Sequence, residues 1–401
     1  MVMKMRNKIC FLLLVLLITT GCSNYRELNK LAIVIGAGID YDKNKQEYIV
    51  TYQAINPRGV PTSAISSPGN ELAVINYQGS GKTIVEASRN SSKKISRQSL
   101  YYHTSLIVIG EAAAKKGLNF ILDVYERDPK VRTSLPVLIA RNTSAKDILD
   151  IIPSGFTRIT SKEFLDKLEN TSTLLGENSM NSKVYQVIAA LTSLGNEPAI
   201  SGISIAGNKK QGWTKNNLET TKRTYTVING IGIFRNGRLV KWLDGTKEKS
   251  VSIINNTMKQ TSINVPCKKG TELSVVISRA KRDVKVHIKE KKAFIDLSIH
   301  ANGYIGEAVC DEDLRKITTL TNIEKRVEQK IKKDIQNGIR EVQKVKTDIF
   351  GFGDVLHRSH PKEWRKVKDH WNELFSKASV HIKVKVNIDS TGMRTKSYPH
   401  Q

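Results

Sequence analysis

Gly79-Ser80-Gly81-Lys82-Thr83 has the residue types of a phosphate loop, in which backbone N–H groups wrap a triphosphate and a lysine reaches its outer phosphates. That pattern needs another glycine five residues before Gly81, and Asn76 stands there. The stretch therefore reads as a helix N-terminus after a Gly-rich turn. Gly36 and Gly38 follow a strand-like run, as in a dinucleotide fingerprint, but Tyr41 occupies the place of the third glycine. Close packing of backbone is the better reading. His357 and His360, with His370 beyond them, could set two imidazoles on one helical face, yet no cysteine or carboxylate at zinc spacing completes a ligand set. No G-x-S-x-G elbow occurs, and His103 reads as a structural histidine. No catalytic residue, metal or cofactor is expected, and the chain is not read as an enzyme.

The N-terminus carries a clearer chemical signal. Lys4, Arg6 and Lys8 precede an apolar run from Ile9 to Ile18, which ends in Thr19-Thr20-Gly21-Cys22. This is the order of a secretory signal, with residues 1–21 as the signal peptide. The run is far short of the roughly 20 residues a membrane-spanning helix needs. A small residue directly before a cysteine at the end of such a run looks like a lipobox. The Cys22 thiol would take a diacylglycerol and, after cleavage, become the N-terminus. Thr19 departs from the pattern, because lipoboxes usually carry Leu at that place. Each buried CH₂ contributes about 0.8 kcal/mol, so two acyl chains anchor far more firmly than one.

Lys and Arg number 64 against 38 Asp and Glu, a formal net charge of +26. Loss of the signal removes three of these cations and no acid. For a secreted chain the nearest large anion is a bilayer, and each Lys or Arg held near an anionic surface contributes about 1 kcal/mol. A basic balance is also a nucleic-acid footprint, but secretion and the spread of Lys through the whole chain argue against nucleic acid as a partner. Of four cysteines, Cys267 and Cys310 remain once Cys10 leaves with the signal and Cys22 is assigned to lipid. A disulfide between them and two free thiols are both open.

The elements that would position these residues alternate between strand and helix. The first unit, 22–145, places strands at 31–39, 48–55, 72–77, 105–109 and 136–140, and helices at about 82–95 and 111–125. The second, 146–260, has helices near 162–168 and 185–194, a strand at 200–205, and a hairpin turning at Asn236-Gly237. Residues 207–221, polar and rich in Lys and Asn, read as a surface excursion. The third, 261–395, opens with strands at 262–265, 273–278, 284–288 and 294–299. A long amphipathic helix follows, on Leu320, Ile323, Val327, Ile331, Ile335, Ile339 and Val342. The alternating run 380–386 closes the unit as a strand. The expected fold is α+β: three consecutive domains, each a mixed sheet with flanking helices.

Two segments resemble a known family. The stretch from Cys22 through Gly36, Gly38 and Asp40 resembles the start of mature Ger(x)C spore germination lipoproteins. Asp348, Gly351, Gly353, His357, His360, Pro361 and Trp364, with Trp371 after them, look like that family's C-terminal signature. His103, Arg127-Asp128, Trp242-Leu243, Pro266-Cys267 and Gly306-Glu307 fall between in the expected order. Ser23, where the family often has Trp, and the stretch 247–250 depart from the pattern. The resemblance implies a lipid-anchored, non-catalytic subunit of a nutrient germinant receptor. It would sit on the outer face of the spore inner membrane beside two integral membrane subunits, with direct nutrient binding left open. A lipid-anchored solute-binding protein is the competing class; it predicts two similar α/β lobes, for which the chain offers no long βαβ repeats. The segment from Asp348 to Trp371 is expected to organise the third domain. Pro361 would start a helix whose Trp364, Val367 and Trp371 make one apolar face, with Trp371 in the core and Trp364 either core or docking surface.

Overall fold

The computed structural model describes residues 27–60, 71–128, 131–153, 157–177, 182–267, 271–308, 312–392 and 394; the signal segment and Cys22 lie outside them. The chain runs through β1 (Leu31–Asp42), β2 (Glu47–Ile55), β3 (Val74–Gly81), α1 (Ile84–Ser91), β4 (Gln98–Leu100), β5 (Leu106–Gly110), α2 (Glu111–Lys116), α3 (Asn119–Arg127) and β6 (Val137–Ala140). It continues through α4 (Ala145–Asp150), α5 (Thr160–Leu174), α6 (Val184–Thr192), β7 (Ala199–Ala206), α7 (Lys209–Gly212), α8 (Asn216–Glu219), β8 (Tyr225–Arg235) and β9 (Arg238–Leu243). The remainder is α9 (Thr246–Ile254), β10 (Thr261–Pro266), β11 (Glu272–Lys289), β12 (Lys292–Ala308), α10 (Ile317–Lys344), α11 (Phe352–Ser359), α12 (Pro361–Val367), α13 (Trp371–Ser376) and β13 (Ser379–Ser390).

The mixed α+β character is carried by two sheets. The first has the order β3-β2-β1-β5-β6-β7-β8-β9, with β4 paired to β1 off this path. Strands β1, β5, β6 and β7 run parallel, and the flanking pairs are antiparallel. Helices cover both faces. Ile107, Ile109, Val137 and Ile139 pack with α1, α2, α3 and α6, while Leu106, Val108, Leu138 and Ala140 pack with α4 and α5. Burial on both faces is why β5 and β6 read as continuous apolar runs. Strands expected in the separate units 22–145 and 146–260 share this sheet, since β6 pairs with β5 on one side and β7 on the other.

The second sheet has the order β10-β11-β12-β13. One face packs on α10, whose Ile323, Val327, Ile331, Ile335, Ile339 and Val342 are all buried, as their spacing predicts. The other face meets solvent, and Lys281, Lys285, Lys383 and Lys385 stand exposed on it. Strand β13 closes the sheet at an edge, where unpaired N–H groups invite other chains. Glutamates of α10 occupy them: Glu328 Oε1 accepts from Val386 N at 3.0 Å and Glu324 Oε1 from Ile388 N at 2.9 Å.

Three local expectations change. The helix expected over 111–125 breaks at Gly117, whose φ of 140° no helix accommodates. The strands expected at 273–278 and 284–288 are one strand, β11, because the polar run between them stays paired to β12 through two register shifts. The excursion 207–221 folds into α7 and α8, held by the buried Asn217, which donates to Ile152 O and Thr224 O and accepts from Thr224 N. The hairpin turn has the positive φ angles predicted, 51° at Asn236 and 74° at Gly237. Cys267 is disulfide-bonded, with its partner outside the described residues. Among the described residues no helix is long and apolar enough to cross a membrane.

The stripe on α10 gives a direct test of this packing. Ile331, 2% exposed, changed to Ala should cost about 2–5 kcal/mol and lower the midpoint of chemical denaturation. Ile317→Ala, at a position 81% exposed, should stay within about 0.5 kcal/mol of the parent.

Candidate functional site

The C-terminal signature begins where α10 ends. Lys346 turns with a φ of 53°, and Thr347 and Asp348 then enter the interior with no exposed surface. A carboxyl group there must be hydrogen-bonded, because burying it bare costs several kcal/mol. Asp348 Oδ1 accepts from Phe350 N at 3.0 Å. Its Oδ2 accepts from Gly353 N at 2.9 Å and from the Trp371 indole Nε1 at 2.9 Å. Burial outweighs these three donors and pushes the Asp348 carboxyl up to about 6.

The same turn is stitched to both sheets. Glu197 N, just before β7, donates to Asp348 O at 2.8 Å. Thr347 Oγ1 donates to Phe234 O of β8 at 2.7 Å, and Asn255 Nδ2 to Ile349 O at 3.2 Å. From the second sheet, Arg282 Nη1 of β11 donates to Phe350 O at 3.1 Å. Gly353 lies against Gly195 so closely that a Cβ on it would sit 2.5 Å from the Gly195 Cα. Ser193 Oγ donates to Asp354 Oδ1 at 2.7 Å across the same contact.

An aromatic cluster closes over this hub. Ring centroids lie 5.3 Å apart for Phe350–Phe352, 6.0 Å for Phe352–Phe375, and 5.7 Å for the edge-on pair Trp364–Trp371. Trp364 is 4% exposed and Trp371 1%, so both indoles are core. Pro361 is the first residue of α12, as its fixed φ favours. His360 precedes it with an exposed side chain, and its carbonyl accepts from Glu363 N and Trp364 N. Val367 ends α12, and a single 3₁₀ turn separates it from Trp371, so the helix expected over 361–371 is two.

The N-terminal signature lies elsewhere, on β1. Asp40 is the anion at the N-terminus of α4: Oδ1 accepts from Ala145 N at 2.8 Å and Oδ2 from Lys146 N at 3.0 Å. Burial raises its pKa, and the two backbone bonds oppose the rise. Gly36 and Gly38 let α4 and α5 approach β1. A Cβ on Gly38 would lie 2.9 Å from Leu149 Cδ1, and one on Gly36 3.2 Å from Ser161 Cβ. The structure thus brings Asp348, Gly353, Trp364 and Trp371 together, brings Gly36, Gly38 and Asp40 together, and leaves His360 and Pro361 at the edge of the first group.

The other chemical candidates resolve into structural roles. At the Gly-rich stretch, Thr83 caps α1 by accepting from Glu86 N at 3.1 Å, and Lys82 N is taken by Glu86 Oε2 at 2.8 Å. Helix α1 crosses so near that a Cβ on Gly79 would lie 2.0 Å from Ala87 O, so glycine there serves close packing. His357 stacks on Trp364 at 5.7 Å. Among the described residues no three His, Cys, Asp or Glu side chains could hold a metal together. Gly195, Glu197, Asn255 and Arg282 belong to the hub but not to any motif. Asn196 and Pro198 signal a turn beside Gly195 and Glu197 but not what that turn will touch, and nothing local marks the contacts of Asn255 and Arg282.

Comparison with known proteins places these two groups in context. Residues 24–205 match the family described as spore germination protein N-terminal domain, and residues 229–392 match spore germination B3/GerAC-like, C-terminal. The chain is 29% identical over 397 residues to spore germination protein KC of Bacillus subtilis (strain 168), covering 97% of each. It is 25% identical over 396 residues to spore germination protein B3 of the same organism, covering 97% of this chain and 99% of that protein. The crystal structure of the GerBC protein superposes with a TM-score of 0.53 at 20% identity, over 91% of this chain and all of that one, which shows a shared fold.

Two outcomes follow from the hub. Asp348→Ala leaves Phe350 N, Gly353 N and Trp371 Nε1 without their acceptor, and at about 1–3 kcal/mol for each orphaned group should cost more than removal of the buried acid returns. The carboxyl titrates near 6 when folded and near about 3.9 when unfolded, so the native state holds the extra proton between these values. Its contribution is full below about pH 4 and is lost as pH rises through about 6. Denaturant melts should therefore show the gap between parent and variant shrinking by on the order of 2–3 kcal/mol from pH 4 to pH 7; a constant gap would mean no shift. Trp364→Ala should lower the melting temperature with a loss of about 3–5 kcal/mol.

Proposed function

We propose that this chain, which belongs to the spore germination B3/GerAC-like family, is the lipid-anchored, non-catalytic C-type subunit of a spore nutrient germinant receptor. It acts on the outer face of the spore inner membrane, docked on two integral membrane subunits. The observation that carries this reading is coverage: the two family domains follow in order over nearly the whole chain, and the relatives named spore germination proteins align along almost their full length.

The physical features support it. Leu31 begins β1 only nine residues after Cys22, and at no more than about 3.6 Å each these reach roughly 30 Å. A diacylated Cys22 would keep the first sheet close to the bilayer, and the basic surface would be drawn toward anionic lipid. The signature residues have roles in folding and docking rather than in chemistry. Asp348, Gly353, Trp364 and Trp371 fix the second sheet on the first, and Gly36, Gly38 and Asp40 fix α4 on β1, so the partners meet one rigid body.

Replacement of Cys22 by Ala in the sporulating cell tests the anchor. The expected result is a mature chain without acyl mass, lost from the membrane fraction, and slower nutrient-triggered germination. Unchanged retention would exclude lipid as the main anchor. Pull-down of the detergent-solubilised parent protein should bring down both integral membrane subunits; recovery of neither would sink the docking role.

A further inference from the structure

Strands β1, β5 and β6 run parallel, so Leu31, Leu106 and Val137 mark one end of the first sheet. Strand β2 returns to the same end, where Ala54 pairs with Val34 and Ile55 with Val74 of β3. The described chain also enters here. Glu27 stands five residues after Cys22, and at no more than about 3.6 Å each these span roughly 18 Å.

Four large apolar side chains protrude at this end, one after another across the sheet. Leu72, 37% exposed, is brought beside the end of β2 by the bond from Asn56 N to Ala73 O at 2.9 Å. Leu28, 69% exposed, lies in the 3₁₀ turn just before β1. Tyr102, 47% exposed, stands in the turn between β4 and β5. That turn is closed by Thr104 N donating to Tyr101 O at 3.0 Å and tied to β1 by Ser105 N donating to Ile35 O at 2.9 Å. Tyr185, 49% exposed, is held beside Thr133, four residues before β6 begins, because its N donates to Thr133 O at 3.0 Å.

The polar groups among them suit a headgroup layer. Glu27 lies 3.3 Å from Lys30 and Glu71 4.0 Å from Arg58, so each of these acids already has a cation beside it. Arg97 is exposed next to Gln98, which pairs with Leu31, and Arg132 is exposed next to Thr133. At the other end of β1 the turn Lys43-Asn44-Lys45-Gln46 is exposed and wholly polar. Tyrosine is enriched where a membrane meets water, because its ring packs on acyl chain while its hydroxyl stays wet.

A flexible tether by itself leaves a body free to turn over the bilayer, whereas apolar side chains around the point of entry select one face. From the juxtaposition of that entry with the protruding Leu and Tyr side chains, we propose that this end of the first sheet is the face laid on the lipid bilayer. Leu28, Tyr102 and Tyr185 sit in the headgroup layer, and the lysine-bearing face of the second sheet is not the contact. This orientation rests on the lipid anchor proposed above, and the test separates the two.

The mature acylated chain would carry one of Tyr102→Cys, Tyr185→Cys, Asn44→Cys or Lys383→Cys, labelled at that thiol with the fluorophore NBD. Each chain would be reconstituted into vesicles of phosphatidylcholine and phosphatidylglycerol. All four positions are exposed, so the thermal melts should match the parent. Emission should shift to the blue, and be lost to doxyl-labelled lipid, at positions 102 and 185 and at neither 44 nor 383. Quenching at 44 or 383 in place of 102 and 185, or at none of the four, would overturn the proposal. Mass spectrometry of the same samples decides the anchor separately. If Cys22 carries no acyl group, the anchor reading fails, and the same four labels decide the face on a Cys22→Ser chain held by an N-terminal hexahistidine to nickel-chelating lipid.

Discussion

A carboxylate surrounded by protein on all sides must either be hydrogen-bonded or be neutral, and at Asp348 this requirement organises the whole second half of the molecule. Its oxygens accept from two backbone N–H groups of the turn it begins and from the indole of Trp371, 23 residues further along. Those bonds can form together only if the turn 348–353 is tight and α13 is docked. The side chain therefore links a local conformation to a tertiary contact. The carbonyls of Asp348, Ile349 and Phe350 are in turn taken by Glu197, Asn255 and Arg282, drawn from three different parts of the chain. Little remains in the turn that could move without breaking a buried bond, which is the property expected of a joint that must stay rigid.

The first sheet uses the same device at smaller scale. Asp40 stands at the end of β1 and accepts from the first two N–H groups of α4, where the helix dipole also favours an anion. Gly36 and Gly38 clear the strand surface on which α4 and α5 rest, and Gly110 on the neighbouring strand leaves room for the carboxylate itself: a Cβ there would lie 2.0 Å from Asp40 Oδ1. Both signatures thus combine an acid held by backbone N–H groups, buried at Asp348 and half-buried at Asp40, with glycines at a close backbone approach. The acid supplies direction and the glycines supply distance. In both, the oxygens of the acid are turned to donors of the protein itself, four backbone N–H groups and one indole.

Electrostatics divides the molecule differently from packing. The acids of the two signatures are matched by donors inside the fold, whereas Lys281, Lys285, Lys383 and Lys385 stand outside, on the solvent face of the second sheet. A surface of this kind attracts anions diffusely over a broad face, and salt screens that attraction within a Debye length of about 8 Å.

What the sequence determined by itself was whatever depends on neighbours along the chain. The apolar spacing of α10, the Asn236-Gly237 turn, the buried runs of β5 and β6, and Pro361 at a helix start were legible because each is a periodicity or a local backbone preference. The family signature was legible too, but only as a list of positions: nothing in Asp348 or Asp40 announces which N–H groups they will hold. Tertiary structure alone decided that strands from the first two expected units join one sheet. It also decided that the polar excursion folds into two short helices around the buried Asn217, and that the polar middle of β11 stays a strand because β12 lies beside it. Gly195, Glu197 and Arg282 were invisible for the same reason. Their roles come from partners more than 65 residues away, and a hydrogen bond across that distance leaves no period in the chain to read.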